Sequence, residues 1–171
     1  MKPIFCAWRS LNPSIFKYVL DQEDDININE KCHWVCPWGG AYKGQGRTLL
    51  HRTFEFRHHN GVQQHNIDVM LANCHGKKID WNAQDDDGNT ALILALKCTK
   101  ESMLWQNGIH YEYYLKKLKT LLDIAETLLD VHLPNNDGET AWDYIMTEDT
   151  DNDIVEAVKD HIAKMAKKNT N

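Results

Sequence analysis

The run Cys32-His33-x-x-Cys36 sets two thiols and an imidazole side by side. Thiolate and imidazole are zinc ligands, and a short loop can present two or three of them. A structural site needs a fourth ligand and ordinarily a second pair. The other adjacent Cys/His couple, Cys74-His75, lies far along the chain. Cys32, His33 and Cys36 are therefore candidate metal ligands without a matching half, and no cofactor is expected. The same thiols could act as the nucleophile of a cysteine hydrolase, with one of nine histidines as base. Nothing in the sequence fixes a base beside either thiol, so the chain is not expected to be an enzyme. His58-His59 reads as exposed loop. Gly39-Gly40 and Gly44-x-Gly46 lack the strand-to-helix context and the lysine of a phosphate-binding loop.

Composition bounds the partners. The chain has 171 residues and is 42% hydrophobic, enough for a packed core rather than disorder. Nineteen Lys and Arg against twenty-five Asp and Glu leave a formal charge of −6. A nucleic-acid binder needs a basic face, so nucleic acid is not an expected partner. The charge is uneven: from Asp137 to Asp153 there are seven carboxylates and no Lys or Arg. Five cysteines, an odd and scattered set, suit a reducing compartment better than a disulfide framework. No apolar run approaches membrane-spanning length, and the first residues carry no apolar signal core. The expectation is a soluble, monomeric, cytoplasmic protein without a membrane partner.

The elements that must position these groups are organised around Gln84-Asp-Asp-Asp-Gly88-Asn-Thr90-Ala-Leu92-Ile-Leu-Ala95-Leu96. It reads as a polar turn delivering the chain into an apolar helix. Gly88 supplies the positive φ, and Thr90 caps the helix. The phrase recurs at Gly46-Arg-Thr48-Leu-Leu50-His51 and at Gly138-Glu-Thr140-Ala-Trp142. Recurrence of one turn-into-helix phrase is the mark of a repeat protein. Further helices follow from apolar spacing. Asn12-Pro13 opens one carrying Ile15, Phe16, Val19 and Leu20. Another carries Ile67, Met70, Leu71 and Cys74. A long one runs from Tyr114 through Leu118, Leu121, Leu122 and Ala125 to Leu129. The last carries Ile154, Val155, Val158, Ile162 and Met165, with Asp153 and Glu156 as an acidic capping box and lysines outside.

On these residues the chain resembles the ankyrin-repeat family. Thr48, Leu50 and His51 match the family's Thr-Pro-Leu-His phrase, with Leu49 in place of its proline. Pro3-Ile4 stands at its Pro-Leu, and Ile93 and Asp143 stand where it has the histidine. The resemblance implies an all-α solenoid of helix–turn–helix units with projecting turn or finger loops. Its repeats would span about 1–30, 46–82, 87–133 and 137–168 of a single domain, 1–171. The family period is about 33 residues. Here Ile4, Leu50, Leu92 and Trp142 lie 46, 42 and 50 apart, so each repeat must carry an insertion. An inserted finger covers 30–45, a histidine-rich loop lies around 58–65, and an inserted inter-helix segment covers 100–114.

Aromatics in a glycine-rich finger are costly to leave in water. Trp34, Trp38 and Tyr42 therefore either pack back on a neighbouring repeat or contact a partner. The resemblance implies a protein–protein interaction module that binds another protein through finger loops and a concave face. The residues at those positions are Trp34, Trp38, Tyr42, Arg47, Arg52, Asp86, Asn89, Lys97, Asn136 and Glu139. Two alternatives stay open, a scaffold with a zinc- or ligand-binding Cys/His finger and a cysteine-dependent enzyme. The short, irregular array is also similar in style to ankyrin effectors that intracellular bacteria deliver into host cells. That origin implies host cytoplasm and a host protein as partner; an ordinary cytosolic adaptor is the competing origin.

Overall fold

The computed structural model describes residues 3–9, 12–22, 27–32, 45–54, 79–104, 109–125 and 128–168. Every regular element among them is a helix. These are α1 (Pro3–Arg9), α2 (Pro13–Gln22), α3 (Leu49–Thr53), α4 (Ala91–Leu104), α5 (Ile109–Ala125), α6 (Ala141–Ile145) and α7 (Asn152–Lys168). Extended pairing among the described residues is limited to two antiparallel bridges, Cys32 with Arg47 and Gln84 with Thr90. The class is all-α. The chain divides into two compact units. The first holds α1 to α3 and continues to Asp80; the second holds Phe54 and everything described from Trp81 onward. The expected helix at Ile67–Cys74, the loop around His58 and most of the 30–45 finger lie outside the described residues.

In the first unit α1 packs on α2. Asn12 starts α2 as the sequence predicts: its Oδ1 accepts from the backbone N–H of Ser14 at 3.0 Å and of Ile15 at 3.3 Å. Phe16 and Leu20, one turn apart, form the buried face with Ile4, Phe5 and Ala7 of α1. Ile15, expected in that stripe, points to solvent with Tyr18.

The second unit is a stack of two helix pairs. α4 packs on α5 and on α6, while α7 packs on α5 and on α6. First helices therefore lie on first helices and second on second. Ala91 through Leu96 of α4 are all buried. Its inner hydroxyls satisfy themselves: Thr99 donates to the Ala95 carbonyl at 2.7 Å and Ser102 to the Thr99 carbonyl at 2.6 Å. Of the segment 100–114, expected as an insertion, the described residues are helical: 100–104 belong to α4 and 109–114 to α5. α5 buries Tyr114, Leu115, Leu118, Leu121, Leu122 and Ala125 at the expected spacing. Leu128 and Leu129, expected in this helix, lie outside it. Leu128 is exposed and Leu129 is buried beyond the helix.

Of the stripe expected in the last helix, Ile154 and Val158 are buried and Val155, Ile162 and Met165 are half-buried, while Lys159, Lys164 and Lys167 are exposed. Its cap is Asp151, whose Oδ1 accepts from the Asp153 N–H at 2.8 Å, not Asp153 itself. No helix among the described residues is long and apolar enough to cross a membrane.

Candidate functional site

Two turns of the second unit, Gln84–Thr90 and Pro134–Thr140, are built alike. Asp85 Oδ1 accepts from the N–H of Asp87 at 3.0 Å and of Asn89 at 2.9 Å. Asn135 Oδ1 accepts from the N–H of Asp137 at 3.0 Å and of Glu139 at 2.9 Å. A short polar side chain folded over its own turn is what Asp and Asn do well. In each turn the glycine N–H closes back on the carbonyl three residues earlier, and the glycine φ is positive, +76° at Gly88 and +80° at Gly138.

The two turns are interlocked. The backbone N–H of Asn136 donates to the Asp87 carbonyl at 3.0 Å, and its side-chain amide to the Asp86 carbonyl at 2.9 Å. Gln84 Nε2 reaches both the Gly88 carbonyl and the Pro134 carbonyl at 2.8 Å. The approach is so close that a Cβ on Gly88 would lie 2.6 Å from the Asn136 backbone nitrogen. Behind the turns, Asn82 holds the next segment, donating to the Leu128 carbonyl at 2.9 Å and accepting from the Asp130 N–H at 2.8 Å. In the first unit Asn29 accepts likewise from the Asp80 N–H at 2.8 Å.

A polar chain links these turns to the helices. Lys97 on α4 donates to Asn89 Oδ1 at 3.0 Å, and Asn135 Nδ2 donates to the same oxygen at 3.2 Å. Asn135 also reaches Glu139 Oε2 at 3.2 Å, and the Tyr144 hydroxyl of α6 donates to that carboxylate oxygen at 2.5 Å. The Lys97 ammonium lies 5.2 Å from the Tyr144 ring centre, a cation–π distance. The Tyr144 and Asn135 hydrogen bonds stabilise the charged carboxylate and hold Glu139 below its ordinary value. Burial, reinforced by that same hydrogen bond to Glu139, pushes the Tyr144 phenol well up.

Each helix entry uses its threonine differently. Thr90 Oγ1 accepts from the Ile93 N–H at 3.2 Å. Thr48 donates its backbone N–H to His51 Nδ1 at 3.3 Å, and its hydroxyl lies 2.8 Å from the same nitrogen. A backbone N–H can only donate, so Nδ1 accepts and the neutral ring carries its proton on Nε2. Thr140 gives its N–H and hydroxyl to Asp143 Oδ2 at 2.8 and 2.6 Å, and takes back the Asp143 N–H at 3.2 Å. Asp143 thus fills the role of His51. The Thr140 side-chain and backbone hydrogen bonds hold its carboxyl below the usual range.

Of the expected contact residues, the structure brings together Asp86, Asn89, Lys97, Asn136 and Glu139 around the interlocked turns. Asp86, Asn136 and Glu139 are exposed and Lys97 is half-buried. Asn89 is only 5% exposed, so it braces the surface from beneath. In the first unit Arg47 and Arg52 are half-buried on either side of the start of α3. Cys32 is half-buried and donates its N–H to the Arg47 carbonyl at 2.9 Å. Its expected metal-ligand companions His33 and Cys36, and Trp34, Trp38 and Tyr42, lie outside the described residues. The sequence reading missed Asn82, Asp85, Asn135 and Tyr144. A signal for two of them was present: Asp85 and Asn135 each stand three residues before the turn glycine. Comparison of the chain with protein-family models, with curated proteins and with solved structures gives no match.

Proposed function

We propose that the chain is an ankyrin-type solenoid of about four helix–turn–helix repeats that binds another protein. Its contact surface is the projecting turns and the exposed positions of the first helices beside them, and it acts without catalysis or cofactor in the cytoplasm. One observation carries this reading. The Asp85–Asn89 and Asn135–Glu139 turns are locked to each other through Asn136 and Gln84, while Asp86, Asp87, Asp137 and Glu139 face solvent. A surface already fixed in place loses little conformational freedom when a partner arrives. The recurrence of the same turn geometry, with Gly46 also at positive φ, supports the repeat reading.

The experiment is site-specific photo-crosslinking in the full chain. A benzophenone side chain is placed at Asp86 or Asp137 on the turns, and at Glu156 or Lys159 on the outside of α7. Capture of one protein species from the turn positions and not from α7 is expected. Capture from α7 alone moves the interface off the turns and overturns the proposal.

A further inference from the structure

We infer that the docking of α7 on α5 is a pH-sensitive latch, closed at neutral pH by an uncharged His161 and loosened by mild acidification. His161 is 2% exposed and lies on the inner face of α7 with Ile154 and Val158. Its Nδ1 stands 3.0 Å from the Leu122 carbonyl of α5. A carbonyl only accepts, so Nδ1 carries the proton and Nε2 of the neutral ring is a bare lone pair. That Nε2 is fully covered and meets no hydrogen-bonding group among the described residues. A second proton would place both a charge and an N–H donor in this enclosure with no acceptor facing it.

The surrounding charges do not offset that cost. Asp123 on α5 favours the charged ring, but Lys164 on α7 opposes it, and the two are 3.3 Å apart and engage each other. α6, the other helix packed on α7, has Asp143 as its one charged residue, and that carboxylate is bound to Thr140. Burial dominates, and the ring is less basic than an ordinary histidine. The sign follows. The unfolded chain takes up the proton near pH 6.5, before the folded chain does. The contribution to stability is whole above that pH and is lost as pH falls through the lower folded value. The stress falls on the α5–α7 contact, because the ring and its carbonyl partner bridge those two helices.

The test uses the full chain and a His161→Asn variant, whose Nδ2 stands where Nδ1 does and so keeps a donor for Leu122 but cannot titrate. Thermal unfolding is followed from pH 7.5 to pH 5.5. The wild-type Tm should fall about 2–4 °C further than that of the variant. Equal pH slopes overturn the proposal. Two measurements on the wild type stand whether or not the variant folds. Amide exchange, corrected for intrinsic rates, should show α7 losing protection on acidification about tenfold more than α4. Parallel loss in both helices overturns the latch. The His161 ring resonances should titrate below the ordinary histidine value; titration at or above it overturns the proposal as well.

Discussion

Asn135 donates its side-chain amide to the side-chain carbonyl of Asn89 at 3.2 Å, joining two turns 46 residues apart in sequence. Both residues are buried, and each also serves its own turn or helix: Asn89 takes the Lys97 ammonium, and Asn135 caps the turn that follows it. Two side chains committed to one network should not act independently. Asn89→Ala and Asn135→Ala should each cost about 1–3 kcal/mol, because each leaves buried polar partners unmet. The double variant should lose less than the sum, by about 0.5 kcal/mol or more. Urea unfolding of the four proteins closes the cycle; strict additivity would mean that the two turns are not coupled through this contact.

Gly88 and Gly138 share a positive φ but not a neighbourhood. A Cβ at Gly138 would meet nothing within 4 Å, whereas at Gly88 it would press on the Asn136 backbone. Gly138→Ala should therefore cost only the left-handed backbone term, about 1–2 kcal/mol. Gly88→Ala should add a steric term of about 1–3 kcal/mol, since the next turn must move away. Denaturation midpoints of the two variants check this. Equal losses would show that the interlocking of the turns adds nothing to stability.

How much of this was legible depends on whether a feature is local. The turns, their glycines, the Asn12 and Thr90 caps and the buried stripe of α5 depend on neighbours within a few residues, and the sequence displays them. Contacts between segments about 50 residues apart leave weaker traces. Asn82 looks like one more polar residue in a turn, and its role appears only when Leu128 and Asp130 are beside it. Lys117 is a case of a different kind, because its partners are local. A lysine on a helix is ordinarily exposed, yet Lys117 is 1% exposed, with its ammonium 4.2 Å from the Tyr113 ring centre and 5.3 Å from that of Tyr114. Aromatic faces one turn back on α5 stand in for part of its water, at a helical spacing the sequence does display; its burial is what the spacing leaves open. Asp143, placed where the resemblance has histidine, reads as a departure. In the structure it is a substitute, because a carboxylate two bonds from the backbone can accept both donors of Thr140.

Asn82 ties its own segment to the one that follows α5. It both donates to the Leu128 carbonyl and accepts from the Asp130 N–H, so it completes the backbone where the chain leaves α5. Asn82→Asp keeps the acceptor and loses the donor; Asn82→Ala loses both. The expected order of stability is wild type, then Asp, then Ala, with about 1 kcal/mol for each hydrogen bond removed. Amide exchange at Asp130 should rise in the alanine variant and stay close to wild type in the aspartate variant. A rise of equal size in both would sink the assignment.

Tyr144 and Glu139 give a pH signature for the interlocked turns. The phenol and the Asn135 amide donate to one carboxylate oxygen, so the folded Glu139 gives up its proton more readily than an unfolded glutamate. A folded value below the unfolded one gives stability that is present above the unfolded carboxylate pKa. That stability is lost as pH falls through the folded value. Tyr144→Phe removes the larger cause and leaves the Asn135 amide, so Glu139 should titrate nearer to an ordinary carboxylate without reaching it. The acid limb of the stability curve should flatten in the variant, while the neutral limb changes little in slope. Carbon NMR of the Glu139 carboxyl, titrated in both proteins, reads the shift directly. An unchanged titration in Tyr144→Phe would show that the phenol does not set the charge of this turn.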